Sequence, residues 1–104
     1  MKVSANYIKT TPWNTKDIAE GEKLEGVFVK TETFDGKFGE VTKYVIKSEG
    51  DYYGVFGTAS LNRQFKNIPE GSYVWIEFKG TQPTKDGSKT VKVYTVEYDP
   101  EYQA

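Results

Sequence analysis

An all-β fold carrying one short helix is what this sequence predicts, and three observations predict it. Aromatics make up 15% of the chain, with eight Tyr, six Phe and two Trp against a single Met, a mix that suits a pleated sheet better than a helical bundle. Apolar and polar residues alternate in "EVTKYVIKS" and "SYVWIEFKG", the period of a half-buried strand. One stretch breaks that period: Leu61, Phe65 and Ile68 fall at i, i+4 and i+7, one face of a helix. With 104 residues the chain can bury one hydrophobic core, hence one domain.

Residues 1–21 mix Thr, Asn, Pro and Gly without a sustained period and read as an irregular N-terminal arm. The first strand follows in "EKLEGVFVKTETF", with Gly26 expected to mark a bend or bulge. "DGKFG" then supplies turn chemistry. The second strand, "EVTKYVIKS", sets Thr42, Tyr44 and Ile46 on one face and Val41, Lys43, Val45 and Lys47 on the other, and "EGD" turns it into a third strand, "YYGVFG". The helix comes next, with Thr58 or Ser60 as N-cap and "IPEG" as its stop. The fourth strand points Val74, Ile76 and Phe78 one way and Tyr73, Trp75, Glu77 and Lys79 the other, and "TKDGSKT" turns into the fifth, "VKVYTVEY".

The order β-β-β-α-β-β, with the helix between strands three and four, describes a five-stranded OB-fold barrel in which the helix spans an open end and plugs it. An SH3-like barrel also has five strands but carries only a late 3₁₀ turn. The OB-fold domain is expected over residues 22–98, followed by a short acidic end at 99–104.

Composition narrows function by removal. Without Cys or His there is no disulfide framework, no thiolate metal site and no histidine base. The usual phosphate-cradle, nucleophile-elbow and zinc-hydrolase patterns are missing, and the one arginine, Arg63, falls on the helix. A non-catalytic protein without a cofactor or metal is expected. Neither a long apolar run nor a charged-then-apolar N-terminus is present, so no membrane span or secretory signal is expected and the cytoplasm is the expected compartment. Net charge is −1. It is unevenly spread: Glu97, Asp99 and Glu101 sit at the end, whereas Lys79 to Lys92 holds four Lys against one Asp.

Exposed aromatics beside lysines carry the functional signal. Trp75 lies opposite Val74, Ile76 and Phe78 and should meet solvent beside Lys79. Tyr52, Tyr53 and Phe56 cannot all face the core, since neighbours on a strand point opposite ways, and Lys43 and Lys47 lie on the adjacent strand. Lys37 and Phe38 at the first loop, with Lys85, Lys89 and Lys92 in or beside the last hairpin, would flank that face. Stacking aromatics with backbone-tracking lysines are what single-strand binding requires.

The stretch from Gly57 to Tyr98 also resembles small OB-fold proteins of bacteriophages and prophages. The resemblance lies in Gly57-Thr58 and Leu61, in Gly71-Ser72-Tyr73-Val74-Trp75-Ile76, in Lys79-Gly80 and Lys85-Asp86-Gly87, and in Lys92-Val93-Tyr94-Thr95-Val96, with "EGEKLEGVFV" at residues 20–29 similar to the family's first strand. It implies a single-stranded DNA-binding factor of phage-type replication, recombination or protection, working in the host cytoplasm. Trp75 departs from the family, which carries a basic residue there. RNA as ligand and a homodimer through barrel edges both stay open. The alternative is an OB-fold interaction module that docks on a replication or virion protein through an aromatic patch anchored by Trp75.

Overall fold

The computed structural model describes residues 9–15, 17–37 and 39–102. Six strands and one helix follow in the order β1 (Thr11–Pro12), β2 (Lys23–Gly36), β3 (Gly39–Ser48), β4 (Asp51–Phe56), α1 (Ala59–Phe65), β5 (Tyr73–Pro83) and β6 (Thr90–Asp99). They form one sheet in the order β1-β4-β3-β2-β5-β6. Every pairing is antiparallel except β1 with β4. The fold is therefore all-β with one short helix, as expected. Two points differ: there are six strands rather than five, because part of the arm pairs with β4, and the ladder does not close into a barrel.

Each long element follows from local chemistry. β3 and β4 are joined by Glu49 (φ 51°) and Gly50 (φ 86°), the two positive-φ residues that match hairpin twist. β2 bends where its register with β3 shifts between Phe28 and Lys30, one residue of bulge that raises local twist. The bulge is thus not at Gly26. That residue sits where β2 leaves β3 for β5, pairing with Val74, and a Cβ there would collide with the Lys47 carbonyl. α1 starts at Thr58, whose hydroxyl accepts from Leu61 N at 3.2 Å. Ser60, the other candidate cap, is used elsewhere.

The core is built between one side of the sheet and α1. Leu24, Phe28, Tyr44, Ile46, Val55, Val74, Ile76, Phe78 and Tyr94 meet Leu61, Phe65 and Ile68 there. The Phe65 ring stacks on Tyr44 at 4.2 Å and meets Phe28 edge-on at 5.0 Å. Ile68 lies just past the end of the helix yet remains buried.

Between the edges of β4 and β6, side chains take the place of a ladder. Asn14 donates to Phe56 O (2.8 Å), accepts from Phe56 N (2.7 Å) and donates to the Tyr94 hydroxyl (3.3 Å). From the helix, Gln64 donates to Tyr94 O (2.8 Å) and accepts from Val96 N (2.9 Å). Ser60 Oγ contacts both the N–H and the C=O of Tyr94, at 3.3 and 3.2 Å. Trp13 completes the seam, half-buried, with its ring 6.2 Å from that of Tyr94.

Replacing Asn14 with Ala should leave the Phe56 amide buried without a partner and cost about 2 to 4 kcal/mol. Phe65→Ala should cost about 3 to 5 kcal/mol through cavity formation. Urea unfolding of both variants checks this; an Asn14→Ala midpoint equal to wild type would show that the seam contributes nothing.

Candidate functional site

The face expected to bind is the outer side of strands one to three, here β2 to β4, and the β3–β4 register places its residues in pairs: Lys43 opposite Phe56, Val45 opposite Gly54, Lys47 opposite Tyr52. Lys43 corrects the expectation of an exposed phosphate contact. It is only 3% exposed, with its Nζ 3.0 Å from Glu32 Oε1 and 3.1 Å from the Thr10 hydroxyl. Its stem lies against Gly54, where a Cβ would come within 2.9 Å of Lys43 Cδ. Strand alternation cannot report that the arm's Thr10 reaches this row. A signal for the ion pair did exist: counting outward from the Gly36–Gly39 turn sets Glu32 opposite Lys43.

Lys30 joins the same carboxylate at 3.1 Å. Burial pushes the Glu32 carboxyl up, but hydrogen bonds and charge from Lys43 and Lys30 outweigh it and hold the group below its ordinary value.

The aromatics of β4 divide. Tyr53, opposite Ile46, packs against the core, whereas Tyr52 faces outward with Lys47 Nζ 5.7 Å from its ring centroid. Phe56 is half-buried, its backbone bracketed by Asn14. Phe38 lies outside the described residues.

The remaining predicted residues separate onto two surfaces at opposite ends of the β3–β4 ladder. At the end where β4 runs into α1, the Gly57–Ala59 junction touches both long hairpins. Gly57 N donates to Thr42 O of β3 at 2.7 Å. On the other side a groove of ≈ 420 Å³ separates Thr58–Arg63 from Gln82 and Val91–Val93. Its charged lining residues are Arg63 and Lys92, without a carboxylate. Lys92 Nζ donates to Thr15 O at 3.0 Å, which holds it in place. Lys85 and Lys89 are exposed on the turn beyond. That turn is fixed by Asp86 Oδ1, which accepts from the Thr84 hydroxyl (2.7 Å), Ser88 N (3.0 Å) and the Ser88 hydroxyl (2.8 Å). The Ser88 amide and these hydroxyls hold the Asp86 carboxyl down at about 2. Lys37 is exposed on the β2–β3 hairpin, which also presents Phe34 at 44% exposure. Phe34 and Arg63 were not among the residues the sequence singled out for this end, since no local pattern shows which strands and hairpins lie beside the Gly57–Ala59 junction.

At the other end, beside the β3–β4 turn, aromatics gather among carboxylates. Trp75 is 43% exposed, and the described arm residues Thr11–Pro12 pair with β4. Its ring meets Tyr73 edge-on at 4.9 Å, and Tyr73 lies 5.3 Å from Tyr102. Glu25 on β2 and Glu97 on β6 stand in register on either side of Trp75. The Tyr73 hydroxyl donates to Glu25 Oε2 at 3.0 Å. Lost hydration and then the Glu25 carboxylate push that phenol upward. Lys79 is exposed and weakly paired with Glu77 at 3.4 Å.

Among the described residues, no group of three or more carboxylates is arranged to hold a metal ion, and no helix is long and apolar enough to cross a membrane. Comparison with protein-family models, curated proteins and solved structures returns no match to this chain.

Lys43→Glu should bury two like charges side by side and destabilise by about 3 to 5 kcal/mol, the range for breaking a buried pair. Lys47→Glu, at an exposed site, should change stability by less than about 1 kcal/mol. Chemical unfolding of the two variants separates them, and equal losses would show that Lys43 is not buried as described. The same ion pair predicts a pH dependence. Because the folded carboxyl titrates below its ordinary value of 4.5, its contribution is complete above that pH and disappears as pH falls through the lower folded value. The stability gap between wild type and Glu32→Gln should therefore shrink on acidification below about pH 4.5. A gap independent of pH would mean that the pair does not stabilise the fold.

Proposed function

We propose that this protein is a non-catalytic single-stranded DNA-binding domain of the OB type, acting in phage-type replication, recombination or protection. The observation that carries the reading is the groove between α1 and the β5–β6 hairpin, whose charged lining residues, Arg63 and Lys92, are both cations. Neither pairs with a carboxylate among the described residues.

Supporting it is the topology. Strands β2 to β6 stand in the order β4-β3-β2-β5-β6, with the helix between β4 and β5. OB-folds are partly open five-stranded Greek-key barrels that bind oligonucleotides with a strand face and two hairpin loops. The two corresponding hairpins here carry Lys37 and Phe34 on one and Lys85 and Lys89 on the other, and both reach the Gly57–Ala59 junction. In this reading Arg63, Lys85, Lys89 and Lys92 follow the phosphates, while Phe34 and half-buried Phe56 supply ring faces for bases. The sequence resemblance to phage OB-fold proteins points the same way. Lys43 has no part in it, and Lys47, Tyr52 and Trp75 belong to the other end of the molecule. That end favours a second reading, the aromatic-anchored protein-docking module, because Trp75 stands between Glu25 and Glu97 rather than between lysines.

Four phosphate contacts on a single strand give a salt slope of about −2.8, so affinity for oligo-dT should fall roughly 50-fold between about 50 and 200 mM salt. Reversing Arg63 and Lys89 to Glu should weaken binding at least about tenfold at the lower salt and flatten the slope. Melting should stay unchanged, since both charges are exposed. Phe34→Ala should cost a further ~1 to 3 kcal/mol if it stacks a base. Fluorescence anisotropy reads all of these. Absence of binding to oligo-dT at the lower salt sinks the reading.

A further inference from the structure

We propose that the surface around Trp75 is a docking site for an arginine-bearing basic segment of a partner protein, independent of any nucleic-acid binding at the other end. An exposed indole is a contact surface whose partner is chosen by what surrounds it. Trp75 is held in place by the edge-on contact with Tyr73, which is itself braced by Tyr102. The ring is therefore presented rather than loosely swinging.

Its surroundings are acidic. In the register, Glu25 and Glu97 flank Trp75, and Asp99 stands opposite Tyr73. A groove of ≈ 400 Å³ beside the indole is lined by Glu25, Glu77 and Glu97 with a single cation, Lys23. Across Glu25 it adjoins a larger one of ≈ 780 Å³, where Glu49 faces Lys47 and the rings of Tyr52, Tyr73 and Tyr102. The two grooves share Glu25, and together their linings hold four carboxylates, Glu25, Glu49, Glu77 and Glu97, against two cations, Lys23 and Lys47.

That combination discriminates between ligands. A phosphodiester would find stacking surface but would lie against three carboxylates. A guanidinium finds both features it uses: the face of an indole, over which it gains cation–π attraction, and carboxylates that its planar fork can grip. Lysine would gain the charge but less of the ring. Glu25 and Glu97 stand in register on the strands either side of Trp75 and line the same groove as its indole, which offers a guanidinium both partners at once.

The test uses the intact chain and fluorescently labelled hexa-arginine, hexa-lysine and hexa-glutamate peptides, with anisotropy as readout. Hexa-arginine should bind, hexa-lysine should bind at least about threefold more weakly because it stacks poorly, and hexa-glutamate should not bind. Trp75→Ala and the double variant Glu25→Gln, Glu97→Gln should each weaken hexa-arginine binding at least about fivefold, and Trp75→Phe should recover part of it. Near-ultraviolet circular dichroism confirms that the variants are folded. Oligo-dT affinity should be the same in Trp75→Ala as in wild type, so loss of DNA binding by the wild type would not touch this proposal. Equal hexa-arginine binding by Trp75→Ala overturns it. So does loss of oligo-dT binding in that variant, which would make the surface a base platform. Sedimentation showing a dimer that Trp75→Ala dissolves would assign the patch to a second copy of the chain and overturn it as well.

Discussion

Everything in this fold depends on how β4 and β6, which never pair with each other, are kept from water. Beyond the short β1 pairing at Tyr53 and Gly54, each carries backbone groups that would be costly to bury without partners. Asn14 satisfies both groups of Phe56, and Ser60 and Gln64 satisfy both groups of Tyr94 and the N–H of Val96. The Asn14 amide then reaches the Tyr94 hydroxyl and joins the two margins. Three polar side chains thus stand where a closed barrel would have a ladder. The helix is doubly committed: Leu61 and Phe65 fill the core while Ser60 and Gln64 hold the strand beside it.

That seam also determines which charges reach solvent. Docking of the arm along β4 brings Thr10 onto Lys43, and Glu32 neutralises the ammonium from β2. Lys43 is thereby withdrawn from solvent, Lys30 shares the same carboxylate, and the other exposed charges lie toward a basic end and an acidic, aromatic end. A protein with almost no net charge can in this way offer two electrostatically opposite surfaces. Net charge alone would have hidden both.

How much of this was legible depended on range. Alternation in β5, the Glu49-Gly50 turn, the Thr58 cap and the Leu61–Phe65 face are all set by residues within a turn or two of each other, and all stand in the structure, whereas in β3 the run Lys43–Ile46 is buried on both faces. The arm's role was not legible, because Asn14 meets partners 42 and 80 residues away and no periodic pattern announces such contacts. Lys43 was misplaced for the same reason: a strand's period tells which face a side chain takes, not what covers that face. Trp75 was read correctly as outward, yet the two carboxylates beside it lie on strands whose register no local pattern discloses. Phe34 and Arg63 became visible only when both hairpins were seen at one junction.

The span of the Asn14–Tyr94 contact has a consequence for how the chain acquires its shape during synthesis. Asn14 leaves the ribosome 80 residues ahead of its partner, an interval of roughly 4 to 16 s at typical elongation rates. Within that interval, until α1 (Ala59–Phe65) and β5 (Tyr73–Pro83) have followed, β2, β3 and β4 can pair as a meander whose apolar side has nothing to lie against. A half-made sheet of this kind is prone to associate with its neighbours through its open margin. The arm is already made when β4 emerges and pairs with it through β1 and through Trp13 N, which donates to Gly54 O at 3.0 Å, so that margin can be covered before β6 is complete. The bonds of Asn14 to Phe56 need only β4, whereas its bond to Tyr94 needs β6, so the two halves of its role can form in succession.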